Sequence, residues 1–319
     1  MNRATSPHDV SAIIVSLNSK SFTRGCLRSI SSAALRDVSL QIVVVDNGST
    51  DGTQEMLRTE WPEVTLIENK KNIGFCAAGN QGAREAKGRY LLFLNDDILI
   101  LDDAIPRLVE FMDSHPRAGM IGSRLLNADG TDQLSSGRTF PTPMNALFGR
   151  KSWLTRVFPW APWARAYLLS DRLDSASPYR VDWLSAAAMM VRREVFDAVG
   201  GLVESFYYFH ELVFCDRVQR AGHEIFLDPK SKILHYEGAG SGVRSRRIRR
   251  KHILAFHWAA YRWYCLHKRM GAYNPIRIVV AMVLCSRAAA LVVLDSLKPS
   301  TRLEKHQAEE GRPEGGLAL

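Results

Sequence analysis

The chain has 319 residues, 46% of them hydrophobic, which is enough to bury a large core and excludes an intrinsically disordered protein. Its five cysteines are scattered and form no Cys-x-x-Cys pair, so neither a zinc site nor a disulfide framework is indicated. The net charge of +9 is concentrated at one end: residues 241–319 hold 15 Lys and Arg against 5 Asp and Glu, whereas residues 1–240 hold 27 against 28.

The first part of the chain alternates between apolar runs and amphipathic segments. The predicted strands cover residues 11–17, 41–45, 64–68 and 90–94. Helices are predicted at about 21–34 and 75–86. This alternation is typical of βαβ units with a parallel sheet. We therefore predict an α/β nucleotide-binding half over roughly residues 10–125.

Two of these strands run directly into acidic residues. Asp46 follows the second strand, and Asn95-Asp96-Asp97 follows the fourth. Ligands of open α/β sheets bind beyond the carboxyl ends of the strands, so both acids are candidates for a ligand site. Adjacent carboxylates repel each other unless a cation or proton lies between them, which favours a divalent cation near Asp97. The alternatives are a solvated turn at Asp96-Asp97 and a helix-capping turn over residues 46–52.

Two common classes of nucleotide-binding enzyme are excluded because the chain lacks their phosphate-binding motifs. The residues after the first strand are Asn18-Ser19-Lys20-Ser21, not the Gly-x-Gly-x-x-Gly of dinucleotide oxidoreductases. The chain also has no Walker A sequence. A nucleotide would therefore be bound by the polar turn after the second strand.

The second half of the predicted catalytic domain is less periodic. Residues 125–180 form a long irregular insertion with three tryptophans, Trp153, Trp160 and Trp163. Residues 181–191 predict one strand of small and apolar side chains. A helix then starts near Glu211 and ends at Gly222, and His235 precedes a glycine-rich segment. Glu211 suits a general base, although it could instead only complement the helix dipole.

Residues 241–294 hold 11 basic residues and no acidic ones, interleaved with aromatic side chains. Such a segment favours an anionic membrane surface or a nucleic acid. Residues 276–297 are apolar, but Arg277 and Arg287 disfavour a span, so we predict helices lying at the membrane interface. A globular helical hairpin is the alternative. Residues 299–319 predict a disordered tail.

Several motifs in order carry a family resemblance. They are residues 43–53 around Asp46, residues 72–75 with Asn80, residues 94–97, residues 181–187, residues 192–201 and Ala221-Gly222. Together they resemble the family 2 glycosyltransferases of the GT-A fold, and among these the bacterial rhamnosyltransferase-like branch.

The resemblance implies roles for individual residues. Asp97 falls at the metal-binding acid of the family's Asp-x-Asp element, with Asn95 in place of the first Asp. His235 would complete the metal or diphosphate site, and Glu211 would be the catalytic base. His210 and Val213 stand where the family commonly has acids, so the surroundings of Glu211 differ from the usual pattern. The predicted nucleotide-sugar residues are Asp46, Asn47, Asp51, Gly74, Asn80, Asn95, Asp96 and Trp183.

We therefore predict an inverting glycosyltransferase that uses Mg²⁺ or Mn²⁺ and a nucleotide-diphospho-sugar such as dTDP-rhamnose. The resemblance implies a lipid-linked glycan acceptor in bacterial cell-surface polysaccharide synthesis. The polar N-terminus and the basic C-terminal segment predict a cytoplasmic protein on the inner face of the plasma membrane. The expected domains are catalytic (1–240, with an acceptor half at 126–240) and helical (241–298). A non-catalytic scaffold and a sugar nucleotidyltransferase are the rival hypotheses, and nucleic acid is the less favoured partner.

Overall fold

The computed structural model describes residues 6–141, 169–236 and 246–297. The three tryptophans of the predicted insertion, the glycine-rich segment after His235 and the predicted tail lie outside these ranges. The described residues form one large mixed sheet with helices on both faces, followed by a pair of long helices.

The first half of the chain forms the predicted parallel strands. Its elements are β1 (His8–Ser16), α1 (Lys20–Ser32), β2 (Leu40–Asp46), α2 (Thr53–Glu60), β3 (Thr65–Glu68), α3 (Phe75–Glu85) and β4 (Gly88–Asn95). The strands lie in the order β3-β2-β1-β4, and every pair is parallel. The predicted alternation of strands and helices with a parallel sheet is therefore confirmed for this part of the chain.

The second half extends the same sheet. Its elements are β5 (Ile98–Ile100), α4 (Ala104–Ser114), β6 (Ala118–Leu126), β7 (Gly137–Arg138), a 3₁₀ turn (Ser170–Arg172), β8 (Tyr179–Arg180), β9 (Trp183–Leu184), β10 (Ala188–Arg192), α5 (Arg193–Ala198), α6 (His210–Arg220) and β11 (Glu224–His235). β10 inserts antiparallel between β4 and β6. β11 runs parallel to β6, and its last residues pair antiparallel with β5.

The single strand predicted over residues 181–191 is instead two strands. β9 pairs with β7 in a separate two-stranded sheet, whereas β10 belongs to the large sheet. The chain turns between them at Ser185, whose backbone N–H donates to the Ser136 carbonyl at 3.0 Å and whose Oγ accepts from Ala187 N at 3.3 Å. These bonds satisfy the backbone of small residues that sequence periodicity had assigned to a continuous strand.

The core lies on both faces of the large sheet. Along β4, Leu91 and Phe93 face the helices α3, α5 and α6, whereas Leu92 and Leu94 face α1 and α4. All four side chains are fully buried. This agrees with the prediction that this apolar run is a strand covered on both sides.

The C-terminal segment forms two long helices, α7 (Arg246–His267) and α8 (Ile276–Leu297). Ala259 and Trp263 of α7 are buried in the same cluster as Phe214 of α6. α8 packs along α7. The C-terminal helices therefore pack on the rest of the described chain through α7.

Candidate active site

Strand pairing brings three predicted site residues to one edge of the sheet. Asp46 at the end of β2 is paired with Ser16 of β1, and Asn95 at the end of β4 is paired with Val15 of β1. His235 at the end of β11 is paired with Ile98, directly after Asp97. These carboxyl ends of strands form the edge where α/β sheets bind ligands.

One carboxylate oxygen of Asp46 accepts hydrogen bonds from the protein, and the other accepts none from the described residues. Its Oδ1 accepts hydrogen bonds from Gly48 N at 3.1 Å, Ser49 N at 2.9 Å and Gln54 Nε2 at 2.6 Å. Its Oδ2 is buried and has no hydrogen-bond partner among the described residues. Because a buried carboxylate oxygen needs a donor, Asp46 is equipped to bind the N–H or O–H group of a ligand.

The loop from Asn69 to Gly74 is fastened to Asn47. The Asn47 amide donates to Asn72 Oδ1 at 3.0 Å and accepts from Ile73 N at 3.1 Å. Gly74 then has φ of +89°, a conformation that favours glycine, and a Cβ there would meet nothing within 4 Å. The space beside Gly74 is therefore open to a ligand.

The side chains of two predicted donor residues bind other parts of the protein. Asp51 accepts hydrogen bonds from the Lys20 and Thr53 backbone N–H groups at the starts of α1 and α2. Burial favours a higher pKa for Asp51, but hydrogen bonds from Thr53 and Lys20 outweigh it and lower the pKa. Asn80 bonds Leu202 through both its amide atoms, at 3.0 and 2.9 Å. Asp51 and Asn80 therefore brace the fold around the site.

Trp183 lies in the core. The residue is 7% exposed, its Nε1 donates to the Thr139 carbonyl at 3.0 Å, and the Arg138 guanidinium lies 5.0 Å from its ring centre. This burial and these contacts favour a packing role for Trp183, and its contact with the donor stays a prediction. A tryptophan at the end of a strand suits either role, so the sequence did not distinguish them.

Asp97 and His235 face each other across the turn between β4 and β5. His235 Nε2 lies 3.3 Å from Asp97 Oδ1 and 3.3 Å from Asn95 Nδ2. The Tyr236 N–H donates to the Asp97 carbonyl at 2.9 Å, which fixes the two chain segments together. Asp97 Oδ1 is buried and has no hydrogen-bond partner among the described residues.

This pair fits a divalent cation. A carboxylate oxygen and an imidazole nitrogen are common metal ligands, and a cation between them would satisfy the unpartnered Asp97 oxygen. Within the described residues, no group of three His, Cys, Asp or Glu side chains is placed to hold a metal. A cation here would need further ligands, as Mg²⁺ usually takes from water and substrate phosphates.

Asp96 lies beside the loop that follows β1. Burial and the neighbouring charge of Asp97 raise the pKa of Asp96 to about 7, whereas the nearby Ser19 and Ser16 side chains and the Leu17 backbone N–H act to lower it. The acidic turn therefore lies against the β1–α1 loop.

Glu211 lies in the first turn of α6, beside His210. His210 Nδ1 is 3.2 Å from Glu211 Oε2, and Glu211 Oε2 and His210 Nε2 are buried without a hydrogen-bond partner among the described residues. The His210 ring contacts the Phe75 ring, with centres 5.4 Å apart, which places the start of α6 beside Gly74 and α3. A carboxylate with a free acceptor oxygen can take a proton from an attacking hydroxyl.

The residue before this pair has a strained backbone. Phe209 has φ of +64°, which costs a residue with a side chain roughly 1–2 kcal/mol. Its ring packs on Phe256 and Trp263 of α7, at centre distances of 5.0 and 6.2 Å. Tyr208 adds a hydrogen bond to His252. Helix α7 therefore stabilises the conformation that leads into Glu211.

Helix α7 also contacts Ser205 and Phe206, which precede Phe209 in the same loop. Arg262 Nη1 donates to the Ser205 carbonyl at 2.9 Å, and its guanidinium lies 4.3 Å from the Phe206 ring centre. The sequence marked α7 only as a basic, aromatic segment. Its exposed and buried positions could be separated only once the helix was placed on α6.

This chain is similar to known proteins over most of its length. The model of the family described as Glycosyl transferase family 2 matches residues 11–200. This range includes Asp46, Gly74 and Asp97. An N-acetylglucosaminyl-diphospho-decaprenol L-rhamnosyltransferase of Mycobacterium tuberculosis is 30% identical over 299 residues, which cover 90% of this chain and 93% of that protein.

Solved structures agree on the fold. A mannosyltransferase from Pyrobaculum calidifontis in complex with GDP-Man and Mn²⁺ superposes with a TM-score of 0.55 at 16% identity, covering 89% of this chain and 75% of that one. GalNAc-T7 with UDP, GalNAc and Mn²⁺ gives a TM-score of 0.52 at 17% identity, covering 72% of this chain and 45% of that one. The sheet and its flanking helices are thus those of the GT-A fold, and the chain belongs to glycosyl transferase family 2.

Proposed function

We propose that this glycosyltransferase is metal-dependent and inverting, and that it moves a sugar from a nucleotide-diphospho-sugar to a hydroxyl of a lipid-linked glycan. The observation that carries the proposal is a pair of buried carboxylate oxygens, Asp46 Oδ2 and Asp97 Oδ1, at the same edge of one sheet, which have no hydrogen-bond partner among the described residues. Asp46 would accept a hydrogen bond from the nucleoside. Asp97 and His235 would hold Mg²⁺ or Mn²⁺.

A cation held by Asp97 and His235 would supply positive charge that offsets the negative charge developing on the departing nucleoside diphosphate. The open space at Gly74 supports a donor path along the start of α3. The Mn²⁺ and nucleotides of the two solved neighbours support the same arrangement by analogy.

Glu211 would act as the general base. The acceptor oxygen attacks the anomeric carbon as the bond from that carbon to the diphosphate oxygen breaks, and the hydroxyl proton passes to Glu211. One displacement from the opposite side inverts the configuration of the sugar. The nearby Phe75 and Gly74 support a placement of Glu211 close to the donor.

The donor and acceptor are proposed from the relative of M. tuberculosis. Its name gives a rhamnosyl group transferred to N-acetylglucosaminyl-diphospho-decaprenol, and the similarity extends over 90% of this chain. We therefore infer a rhamnosyl donor and a lipid-linked N-acetylglucosamine acceptor, in cell-surface polysaccharide synthesis. Deoxythymidine diphosphate as the nucleotide of this donor is proposed from the rhamnosyltransferase-like branch that the sequence resembles.

We infer further that α7 and α8 bind an anionic membrane surface from the cytoplasmic side. Each of the three charged residues of α8 contacts a residue of α7. Arg277 Nε donates to the Tyr261 hydroxyl at 3.2 Å, and Arg287 Nη1 lies 2.7 Å from His257 Nε2. Asp295 Oδ1 accepts a hydrogen bond from Arg249 Nε at 2.8 Å. The rest of the α8 surface is therefore free of charge.

The surface of α8 that faces away from α7 is apolar. More than half of each of these side chains is exposed: Ile276, Ile278, Val279, Met282, Val283, Val293 and Leu294. By length and composition α8 could also cross a membrane. The interfacial orientation is favoured because the basic residues of α7 would then meet lipid headgroups while this surface enters the acyl region.

A calorimetric donor screen tests the proposal. The protein is titrated with dTDP-rhamnose, UDP-N-acetylglucosamine and GDP-mannose, each with Mn²⁺, with Mg²⁺ and with EDTA. We expect dTDP-rhamnose to bind most tightly and only with a cation. Equal binding in EDTA would refute the metal site, and the absence of binding by any donor would refute the nucleotide site.

A further inference from the structure

Gln133 is a buried polar residue that the sequence motifs did not single out. It is 2% exposed and lies in the turn between β6 and β7, where its backbone N–H donates to the Leu125 carbonyl at 2.9 Å. Its side chain makes two hydrogen bonds to one residue. Oε1 lies 2.8 Å from His235 Nδ1, and Nε2 donates to the His235 carbonyl at 2.6 Å.

These two bonds together set the state of the imidazole. A backbone carbonyl can only accept, so the amide must present its NH₂ group to the His235 carbonyl and its oxygen to the ring. The oxygen in turn can only accept, so Nδ1 must carry a proton. In the neutral ring this leaves a lone pair on Nε2.

The Nε2 lone pair points to the site of the proposed cation. Asn95 Nδ2, a donor, and Asp97 Oδ1, an acceptor, each lie 3.3 Å from Nε2. A lone pair on Nε2 and a carboxylate oxygen repel each other at this distance unless a cation lies between them. The other tautomer would place a proton on Nε2 and close the nitrogen to a metal.

We propose that Gln133 is a positioning residue that fixes the ring orientation and the Nδ1–H tautomer of His235, so that Nε2 is available as a metal ligand. The inference rests on the proposed function, because it assumes that His235 binds the cation. Partners of this kind, bonded to the second nitrogen of a ligating histidine, typically account for about 10–100-fold in metal affinity or activity. Gln133 does not touch the substrate in this role.

The test uses the full-length protein with three substitutions. Gln133→Leu removes both bonds, and Gln133→Glu retains an acceptor for Nδ1–H but loses the donor to the carbonyl. Gln219→Leu is the matched control, because it also removes a side-chain amide and its hydrogen bond. Gln219 lies on α6, and its Nε2 donates to the Asp182 carbonyl at 2.9 Å. The tautomer of His235 is measured by NMR of ¹⁵N-histidine-labelled protein without metal, with His235→Asn assigning the signal. Mn²⁺ affinity is measured by electron paramagnetic resonance of the free ion.

The wild type and Gln219→Leu should show the Nδ1–H tautomer and equal Mn²⁺ affinity. Gln133→Leu should show a mixture of tautomers and bind Mn²⁺ about 10–100-fold more weakly. Gln133→Glu should retain the Nδ1–H tautomer and bind Mn²⁺ more tightly than Gln133→Leu. If Gln133→Leu does not fold, the spectrum and Mn²⁺ affinity of Gln133→Glu decide alone. Retention of the Nδ1–H tautomer in Gln133→Glu supports the inference, whereas a purely structural role of Gln133 predicts that this tautomer is not preserved.

Two results would overturn the inference. One is an unchanged tautomer and Mn²⁺ affinity in folded Gln133→Leu. The other is the Nε2–H tautomer in the metal-free wild type. Failure of the proposed function can be distinguished from failure of this inference. If the wild type binds no Mn²⁺ but Gln133→Leu loses the Nδ1–H tautomer, the metal site is refuted and the positioning of the His235 ring by Gln133 stands.

Discussion

His235 Nε2 lies 3.3 Å from Asp97 Oδ1, and the two residues are joined only because the end of β11 pairs antiparallel with β5. The Asp97 oxygen is buried and has no hydrogen-bond partner among the described residues. A cation bound between the two side chains would satisfy this oxygen.

Asp97→Asn should abolish the increase in nucleotide-diphosphate affinity caused by Mn²⁺, because a neutral amide is a poor ligand for a hard cation. Asp46→Asn should weaken binding of the free nucleoside with and without metal, since its carboxylate faces the nucleoside in the proposed site. Both are measured by calorimetry. Asp37→Asn, at an exposed surface acid, is the control. Wild-type affinities in both site variants would disprove the assignment.

Glu211→Gln should reduce kcat by about 100-fold or more and leave donor affinity unchanged, because a positioned base contributes typically about 10²–10⁴-fold. The measurement is single-turnover transfer at saturating donor, together with donor titration. If Glu211 only complements the helix dipole, transfer by the variant should stay near the wild-type rate and only stability should fall.

Asp96→Asn should stabilise the metal-free protein at pH 8 and have little effect at pH 5. The pKa of Asp96 is raised to about 7 in the folded protein, from the ordinary aspartate value of 3.8. The folded state therefore binds the proton more tightly, and wild-type stability declines as the pH rises from about 4 to 7. Thermal unfolding in EDTA across this range measures the effect. A variant Tm that declines with pH in parallel with the wild type would contradict the assignment.

Val283→Asp and Met282→Asp should weaken binding to anionic vesicles, because they place charge on the apolar surface of α8. Wild-type protein should sediment with phosphatidylglycerol vesicles at low salt and much less at high salt, since headgroup attraction is screened. Ala34→Asp, on the catalytic domain, should bind like the wild type. Sedimentation that neither substitution alters would place the membrane contact elsewhere.

Phe256→Ala should reduce kcat on a water-soluble, short-chain acceptor, with little change in donor affinity. The Phe256 ring packs on Phe209, whose backbone φ is +64°, so its loss frees the segment before Glu211. Trp258→Ala is the matched control, because this residue is on the same helix but 61% exposed. Equal kcat in the two variants would show that α7 serves only in attachment.

Local sequence was sufficient to predict the sheet and its ligand edge. The apolar runs that became β1, β2 and β4 are recognisable from their own residues, and those of β2 and β4 lead into the polar residue that the structure places at the strand end. The order of motifs around Asp46, Gly74 and Asp97 also predicted the family, which the similarity to known proteins confirmed. These features depend on neighbours along the chain.

The meeting of distant residues was settled by the tertiary fold alone. It placed Gln133 on His235, brought Asp96 close to Ser16 and Ser19, and buried Trp183. It also showed that α7 holds the segment before Glu211. The physical reason is that these contacts depend on how β10 and β11 insert into the sheet and how α7 packs on α6. Such long-range pairing leaves no periodic signal in the residues that take part.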